Sequence, residues 1–185
     1  MMQVLIAAAV ALTFAPAWAA DQTYIVDVVV VGAGAGGTVA AVSAVEGGLK
    51  TLMLEKNAFA GGAGNFMEGS FAAESFMQKE KGVKLTKIQA FNEMAAYLHW
   101  RINAPLVKAF VDLSGDTIQW VYAHGVQWKE VKTAWRDKAD LTWHIYPSAG
   151  SLPKAMVETF KAKGGTLLLS TPAEKLIYKD GKVEG

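Results

Sequence analysis

The chain has 185 residues, of which 52% are hydrophobic and 19% charged, and its formal net charge is +1. Nucleic acid or an anionic lipid surface would require a clustered basic surface, so the near-neutral charge argues against both, while the apolar content argues against disorder. The absence of cysteine from the sequence excludes disulfides, zinc–thiolate sites, iron–sulfur ligation and thiol catalysis within the chain. Three histidines leave little material for a metal site. The length suits one domain or slightly more.

The first nineteen residues are typical of a secretory signal peptide. An apolar run from Val4 to Ala15 precedes Ala17-Trp18-Ala19, an A-x-A pattern that predicts cleavage after Ala19. The run is short for a membrane span, which needs about 20 residues. No lysine or arginine precedes it, which leaves an uncleaved anchor or a cytoplasmic protein with an apolar tail as alternatives. We expect residues 1–19 to be a signal peptide and the protein to be periplasmic or secreted.

The segment after it has the order strand, glycine-rich turn, helix and second strand. Residues 24–31 form a β-branched run typical of a parallel strand that is buried on both faces. The run leads into a turn in which Gly32, Gly34 and Gly37 satisfy G-x-G-x-x-G. Small apolar residues then predict a helix over 38–45, and residues 49–54 predict a second strand that ends at Glu55. The whole has the length of a βαβ unit.

Each of these positions has a physical role in binding an adenine dinucleotide. Gly32 permits the tight turn, Gly34 lets the backbone touch a pyrophosphate, and Gly37 lets helix and strand pack closely. The amides at the helix N-terminus attract the negative charge. Glu55 follows Gly37 by 18 residues, close to the expected spacing of about 20 for the acid that binds the ribose diol. The alternative is a glycine-rich turn that binds nothing.

A second glycine cluster distinguishes FAD from NAD as the dinucleotide. Glu55-Lys56 is followed by glycines at positions 61, 62, 64 and 69, which let the backbone approach a second ligand surface. A simple nicotinamide Rossmann domain normally continues into ordinary alternating helices and strands. The sequence therefore favours FAD, and an NAD-dependent dehydrogenase remains the alternative.

The rest of the chain predicts three helices, a strand and a hairpin. Ile88, Phe91, Ala95, Leu98 and Ile102 share one face of a first helix. A second helix starts near Pro105 and stops at Gly125, with Leu106, Phe110, Leu113 and Ile118 expected toward the core. Ser151 is expected to cap a third helix, which runs through Lys163. Residues 166–170 predict a strand, and residues 176–183 a hairpin.

The arrangement of Glu55-Lys56 before Gly61-Gly62 and a small-residue loop resembles the FAD-binding domain of the fumarate reductase and succinate dehydrogenase flavoprotein family. It is most similar to the soluble, exported members, the flavocytochrome c fumarate reductases and urocanate reductases. The resemblance continues through Ala104–Val126 and through the G-G-T-L-L-L-S-T-P-A-E segment near the C-terminus, so it covers residues 24–185. It implies an α/β fold: an incomplete Rossmann-like FAD-binding domain with a parallel sheet, a βαβ dinucleotide fold and a β-meander.

The resemblance also implies which residues bind FAD. Gly32, Gly34 and Gly36 would face the pyrophosphate and Glu55 the ribose, while Ala63, Gly64 and Gly69 would line the ribityl and isoalloxazine side. Ala173 matches a backbone contact to the adenine. Some members attach FAD to a histidine, but Gly61–Ala73 contains none, which implies noncovalent FAD. The full predicted set is Gly32, Gly34, Gly36, Gly37, Glu55, Lys56, Gly62, Ala63, Gly64, Gly69 and Ala173.

The activity that the resemblance implies is reduction of the C=C bond of a small unsaturated acid or enone by hydride transfer from the flavin. The family's proton-donating arginine and substrate-binding residues lie in segments beyond position 185. We therefore expect residues 24–185 to be the N-terminal part of a longer enzyme, truncated before the cap domain. The expected partners are a small-molecule substrate and an external electron donor, either a cytochrome or a quinol-linked protein. A non-catalytic flavin- or nucleotide-binding fragment is the alternative.

The three histidines are the remaining candidates for chemistry. His144 falls near a histidine-proline stretch of the family and could approach flavin or substrate, although a partly exposed loop histidine is the favoured interpretation. His99 is expected on an amphipathic helix and His124 at a helix end, and both are interpreted as structural.

Overall fold

The computed structural model describes residues 22–135 and 138–185, so the predicted signal peptide lies outside the described residues. The parallel strands are β1 (Val28–Val31), β2 (Thr51–Leu54) and β6 (Thr166–Leu168), and the antiparallel strands are β3 (Gly69–Phe71), β4 (Glu130–Trp135), β5 (Lys138–Ile145), β7 (Tyr178–Lys179) and β8 (Lys182–Val183). The helices are α1 (Ala35–Glu46), α2 (Phe76–Glu80), α3 (Lys87–Tyr97), α4 (Ala104–Ala123) and α5 (Ser151–Ala162), with a 3₁₀ helix at Gly62–Phe66.

The predicted βαβ unit is present and forms the centre of the fold. Strand β2 lies between β1 and β6 in a three-stranded parallel sheet, with Val28 opposite Thr51 and Leu52 opposite Thr166. Helix α1 connects β1 to β2 and packs beside α5, and both cover one face of the sheet. The core between helices and sheet is made of fully buried apolar side chains, among them Val42, Met53, Met156 and Phe160. The α/β fold with a parallel sheet is therefore confirmed.

Strand β1 differs from the prediction in its length and its burial. It spans four residues, and residues 22–27, the described residues before it, form no strand, although the amide of Asp27 donates to the Lys50 carbonyl at 2.9 Å. The strand was expected to be buried on both faces. Instead, its side chains alternate: Val29 and Val31 are 46% and 61% exposed, because the described helices α1 and α5 cover the opposite face, where Val30 packs against the core.

A second, antiparallel sheet lies outside the sequence-based prediction. Strand β5 lies between β3 and β4, with Ser70 opposite His144 and Val131 also opposite His144. The hairpin predicted over 176–183 is confirmed as β7 and β8, joined by a turn with Asp180 and Gly181 at positive φ.

The predicted helices are present as α1, α3, α4 and α5, and the short helix α2 was not predicted. Helix α4 presents a different face to the core. Leu106, Phe110 and Leu113 were expected inside and are 66%, 50% and 62% exposed, whereas Ile118 is buried as expected. The inner face carries Val111, Ile118 and Val121 with the small residues Ser114 and Gly115 between them. A Cβ added at Gly115 would fall 2.6 Å from the Ala73 carbonyl oxygen, so the helix packs directly on backbone and turns its bulky side chains outward.

Two helix ends also differ from the prediction. Helix α3 stops at Tyr97, and His99 then adopts a positive φ of 51°, so this histidine lies in a turn rather than on the helix. Helix α5 is capped by Gly150 at φ 79°, and the Ser151 hydroxyl instead donates to the Ser148 carbonyl. His124 lies at the C-terminal end of α4, as predicted.

Among the described residues, no helix combines the length and apolar character that a membrane crossing requires.

Candidate functional site

The glycine-rich turn at the carboxyl end of β1 requires glycine at two positions for reasons of backbone geometry. Gly32 has φ +95°, a region that other residues rarely adopt, and its amide donates to the Leu54 carbonyl at 2.7 Å. A Cβ added at Gly37 would fall 1.9 Å from the Gly32 carbonyl oxygen, so α1 leaves the turn in direct contact with backbone. These are the roles that the motif predicts for its first glycine, a tight turn, and for its third, close packing of helix and strand.

The other two glycines of the turn face open space. Within the described part of the chain, a Cβ at Gly36 would meet no atom within 4 Å, and one at Gly34 would meet only the Gly61 carbonyl oxygen, at 3.9 Å. Gly34 is the N-cap of α1, and no side chain among the residues that the structure describes caps this helix. Uncapped amides and the positive end of the helix dipole therefore face a surface without side chains, which fits the diphosphate of a dinucleotide.

Glu55 connects the second strand to this turn. The side chain is 5% exposed; its Oε2 accepts a hydrogen bond from the Ala33 amide at 2.9 Å, and its Oε1 accepts one from the Asn57 amide at 2.9 Å. The Asn57 amide, and after it the Ala33 amide, lower the pKa of the carboxyl group. Glu55 is therefore ionised at neutral pH, and each oxygen keeps a lone pair for a further donor such as a ribose hydroxyl.

The second glycine cluster packs against the first turn. The Gly61 amide donates to the Ala33 carbonyl at 2.7 Å, and Gly34 and Gly61 pair as an isolated parallel bridge. Gly61 has φ +114°, and a Cβ there would fall 2.0 Å from the Asn65 Oδ1 atom. Gly64 is buried, and a Cβ added there would fall 3.2 Å from the Ala35 Cβ. The two glycine-rich segments thus form one continuous backbone surface.

The predicted cofactor-binding residues separate into groups in the structure. Those of the first turn, together with Glu55, lie at the carboxyl end of the parallel sheet, and Gly62 and Gly64 lie in the adjoining 3₁₀ helix. Ala63 is exposed in the same 3₁₀ helix, Lys56 is exposed beside the turn, and Ala173 lies in an exposed segment outside the helices and strands. The Thr171 amide donates to the Glu55 carbonyl at 2.8 Å, which brings the start of that segment to the same edge of the sheet.

Gly69 lies in the second sheet and has a structural reason of its own. A Cβ at this position would fall 2.6 Å from the His144 carbonyl oxygen, so β3 could not approach β5 as closely with any other residue. Any role of Gly69 beside the isoalloxazine ring would thus come in addition to a strand-packing requirement.

A buried polar network around His144 was missed by the sequence analysis. His144 was expected in a partly exposed loop, but it lies in β5 with 0% exposure. Its Nε2 lies 2.6 Å from the Ser75 Oγ, and its Nδ1 lies 3.2 Å from the Ser70 carbonyl oxygen. Tyr146 bonds the Ser70 hydroxyl at 2.6 Å. The Trp128 ring stacks on Tyr146 with centroids 4.7 Å apart and meets His144 edge-on at 5.8 Å.

Two buried groups predict that acid destabilises the fold. Burial lowers the pKa of His144, and the Asn57 and Ala33 amides lower that of Glu55. In each case the unfolded chain binds a proton that the folded chain resists, so stability falls as pH decreases. The loss begins below the ordinary histidine value of 6.5 and increases below the ordinary glutamate value of 4.5.

Urea unfolding between pH 8 and pH 4 measures this effect. We expect the urea concentration at the unfolding midpoint to decrease as the pH is lowered below 6.5. Between pH 7 and pH 5 it should decrease less in the His144→Asn variant, which lacks the titrating ring. A wild-type midpoint that is constant or rises from pH 7 to pH 5 would contradict the assignment to His144.

The fold and this arrangement define a class: a Rossmann-type domain whose glycine-rich turn and strand-end acid are built for an adenine dinucleotide. The family model described as FAD binding domain matches residues 27–185. The chain therefore belongs to the FAD-binding domain family of the fumarate reductase and succinate dehydrogenase flavoproteins. This confirms the predicted family and FAD as its cofactor.

Two curated relatives support the assignment. A vinyl phenol reductase of Lactiplantibacillus plantarum is 35% identical over 162 residues, which cover 86% of this chain and 32% of the relative. An NADH:fumarate oxidoreductase of Klebsiella pneumoniae is 30% identical over 173 residues, covering 90% of this chain and 18% of the relative. The chain thus spans a third or less of the length of these relatives.

Solved structures show the same fold. A flavocytochrome c3 fumarate reductase in its open conformation superposes with a TM-score of 0.75 at 22% identity, covering 84% of this chain and 28% of that structure. A 3-ketosteroid-Δ4-(5α)-dehydrogenase from Rhodococcus jostii RHA1 gives 0.72 at 20% identity, covering 88% of this chain and 41% of that structure. At these identities the likeness concerns the fold alone.

Proposed function

We propose that this chain supplies FAD binding to an oxidoreductase that reduces activated C=C bonds. The observation that carries the proposal is the edge formed by the uncapped N-terminus of α1 and the buried Glu55 carboxylate, which is bonded to the turn itself. The turn residues Gly34 and Gly36 would hold the pyrophosphate through their backbone, and Glu55 would hold the ribose. Gly62, Ala63, Gly64 and Gly69 would lie toward the flavin ring, and Lys56 and Ala173 toward the adenosine.

The bound flavin would supply hydride transfer to an electron-poor alkene. The relatives' names include a vinyl phenol reductase and fumarate reductases, so the substrate class we propose is an alkene conjugated to a carboxylate, a carbonyl or a phenolic ring. Because the chain matches only 32% and 18% of these relatives, we propose that residues 24–185 act together with a following cap domain that contributes the substrate-binding and proton-donating residues. Without a cap domain the chain would be a flavin-binding module without turnover.

We further propose noncovalent FAD, export and an external electron donor. Gly61–Ala73 offers no histidine for a covalent link. The apolar run followed by Ala17-Trp18-Ala19 supports removal of residues 1–19 and a periplasmic or secreted location. The relatives include cytochrome-linked fumarate reductases, which supports a cytochrome or a quinol-linked protein as the donor.

Reconstitution with FAD tests the proposal. We expect the purified chain to bind one FAD, which denaturation releases intact because it is not covalently attached, and to bind FAD more tightly than NAD. Reduced viologen dye, with fumarate and 4-vinylphenol as acceptors, then separates an active reductase from a binding module. Retention of NAD in preference to FAD would overturn the proposal in favour of a nicotinamide dehydrogenase.

A further inference from the structure

His144 has both ring nitrogens committed, and their partners determine its tautomer. The Ser70 carbonyl can only accept, so Nδ1 carries the proton and donates to it. Burial lowers the pKa of His144, so the ring is neutral and Nε2 is an acceptor for the Ser75 hydroxyl. The Ser75 oxygen in turn accepts from the Gln78 amide at 3.1 Å, closing the N-cap of α2. One tautomer satisfies both ring nitrogens, the Ser70 carbonyl and the Ser75 hydroxyl.

The ring therefore links two backbone segments that approach β5 from different directions. Through Nδ1 it holds Ser70 in β3, immediately after the glycine-rich segment, and through Nε2 it holds the first turn of α2. The hydroxyl of Ser70 is held independently by Tyr146. The backbone of β3 also contacts His144, since the space for a Cβ at Gly69 is taken by the His144 carbonyl oxygen.

An apolar side chain could fill this volume without the cost of desolvating an imidazole. A fully satisfied buried polar network instead selects a single geometry, because any displacement leaves a donor or acceptor unpaired. Thr142 and Gln78 extend the network, with Gln78 Nε2 donating to the Ala72 carbonyl at 2.7 Å and to the Thr142 hydroxyl at 3.0 Å. The bond from His144 to Ser70 is the one that holds the chain leaving the second glycine cluster, whereas Thr142 bonds Gln78 and is one step removed from that segment.

We propose that His144 is a positioning residue for the flavin: its Nδ1–H fixes the Ser70 carbonyl, and through it the Gly69 backbone, in the orientation that the isoalloxazine side requires. The inference rests on the proposed function, because it takes Gly69 to line that side. His144 acts through β3 and does not touch the cofactor.

Three variants of the full chain, reconstituted with FAD, separate positioning from packing. His144→Asn keeps an amide donor near Nδ1 but loses the acceptor for Ser75, and His144→Gln does the reverse. We expect the Gln variant to bind FAD about three- to tenfold more weakly, the loss of about one hydrogen bond, with a changed visible absorption band. We expect the Asn variant to remain close to the wild type in FAD affinity and in its visible absorption band. Thr142→Val, which removes a buried partner from the same network, is the matched control and should leave both unchanged.

Nitrogen NMR of the wild-type chain provides a measurement that depends on no variant. We expect the His144 ring in the Nδ1–H form, with ring resonances that move when FAD is added.

The inference is overturned if the His144 ring resonances do not move when FAD is added, or if the Asn and Gln variants have equal FAD affinity and equal spectra. It is also overturned if Thr142→Val loses as much FAD affinity as the Gln variant and changes the absorption band in the same way. Wild type that binds no FAD contradicts the proposed function and, with it, this inference. If FAD binds but neither the His144 ring resonances nor the His144 variants show the expected changes, only this inference is contradicted and the proposed function stands.

Discussion

The Glu55→Gln variant is expected to lose most of its affinity for FAD and to unfold at lower urea concentration than the wild type. The carboxylate accepts backbone amides on both oxygens, from Ala33 and from Asn57. A glutamine at this position presents an NH₂ group to one of these N–H donors, and the side chain is 5% exposed, so water cannot replace the lost bond. An unsatisfied buried donor costs about 1–3 kcal/mol. The ribose hydroxyls would also lose a charged acceptor, so FAD affinity should fall at least ~100-fold.

Glu46→Gln is the matched control for this variant. Glu46 is also a hydrogen-bonded carboxylate of the βαβ unit, with His124 at 2.7 Å and Lys163 at 3.1 Å, but it lies at the opposite end of α1 from the turn. Because this ion pair lies at the surface, with the Glu46 side chain 30% and the Lys163 side chain 42% exposed, its loss should change stability by about 1 kcal/mol or less and leave FAD affinity unchanged. FAD titration followed by quenching of flavin fluorescence measures both variants. Wild-type affinity in Glu55→Gln would show that the ribose is bound elsewhere.

The Gly37→Ala variant is expected to destabilise the whole βαβ unit. Its Cβ would fall 1.9 Å from the Gly32 carbonyl oxygen, whereas ordinary contact begins near 3.4 Å. The obstacle is backbone, so no side-chain rotation relieves it, and α1 must move away from β1. Overpacking of this kind costs about 1–3 kcal/mol, and the displaced helix N-terminus should bind FAD poorly. Urea unfolding and FAD titration measure the two effects.

Gly36→Ala, one residue earlier, distinguishes folding from binding. Nothing lies within 4 Å of the Cβ it would add, and the position is in the first turn of α1, where alanine is favoured over glycine by about 0.5–1 kcal/mol. The apo variant should therefore be as stable as the wild type or more stable. If the pyrophosphate lies on this surface, FAD affinity should nevertheless fall about tenfold or more. A Gly37→Ala variant that is as stable as Gly36→Ala would contradict the close approach of helix and strand.

The parts of the fold that sequence predicts are those in which local pattern and burial agree. The valine run, the glycine spacing and Glu55 each have one geometry that suits them, and together they specify a βαβ unit with the acid at the turn. The same reasoning finds the later strand β6, because it is an apolar run after a glycine stop.

The second sheet is not predictable in this way because polar residues of β5, rather than its apolar ones, lie on the buried face. Residues 141–146 alternate apolar and polar, and the alternation indicates Leu141, Trp143 and Ile145 as the inner positions. The structure buries Thr142 and His144 instead and leaves Trp143 41% exposed. The hydrogen bonds that make a polar inner face possible come from Ser70, Ser75 and Gln78, more than 60 residues earlier in the chain. No local pattern contains them.

The buried face of helix α4 differs from the predicted one for a related reason. Its apolar positions predict an inner stripe, but the helix packs on the Ala73–Glu74 backbone, where only small side chains fit. Gly115 and Ser114 therefore face inward, and the Ser114 hydroxyl accepts from the Ala73 amide at 3.0 Å. Close contact with another segment's backbone favours this face over the one that carries Leu106, Phe110 and Leu113, and hydrophobic periodicity alone does not contain that contact.

The sharing of Glu55 between two loops has a consequence for local opening. The carboxylate bonds one amide before α1 and one amide after β2, and the Gly61 amide returns to the Ala33 carbonyl. Neither loop can open without breaking a bond to the other, so the two form one cooperative unit for hydrogen exchange. Before a ligand binds, the Glu55 side chain alone keeps both loops ordered. A ligand that orders one of the two loops therefore also orders the other.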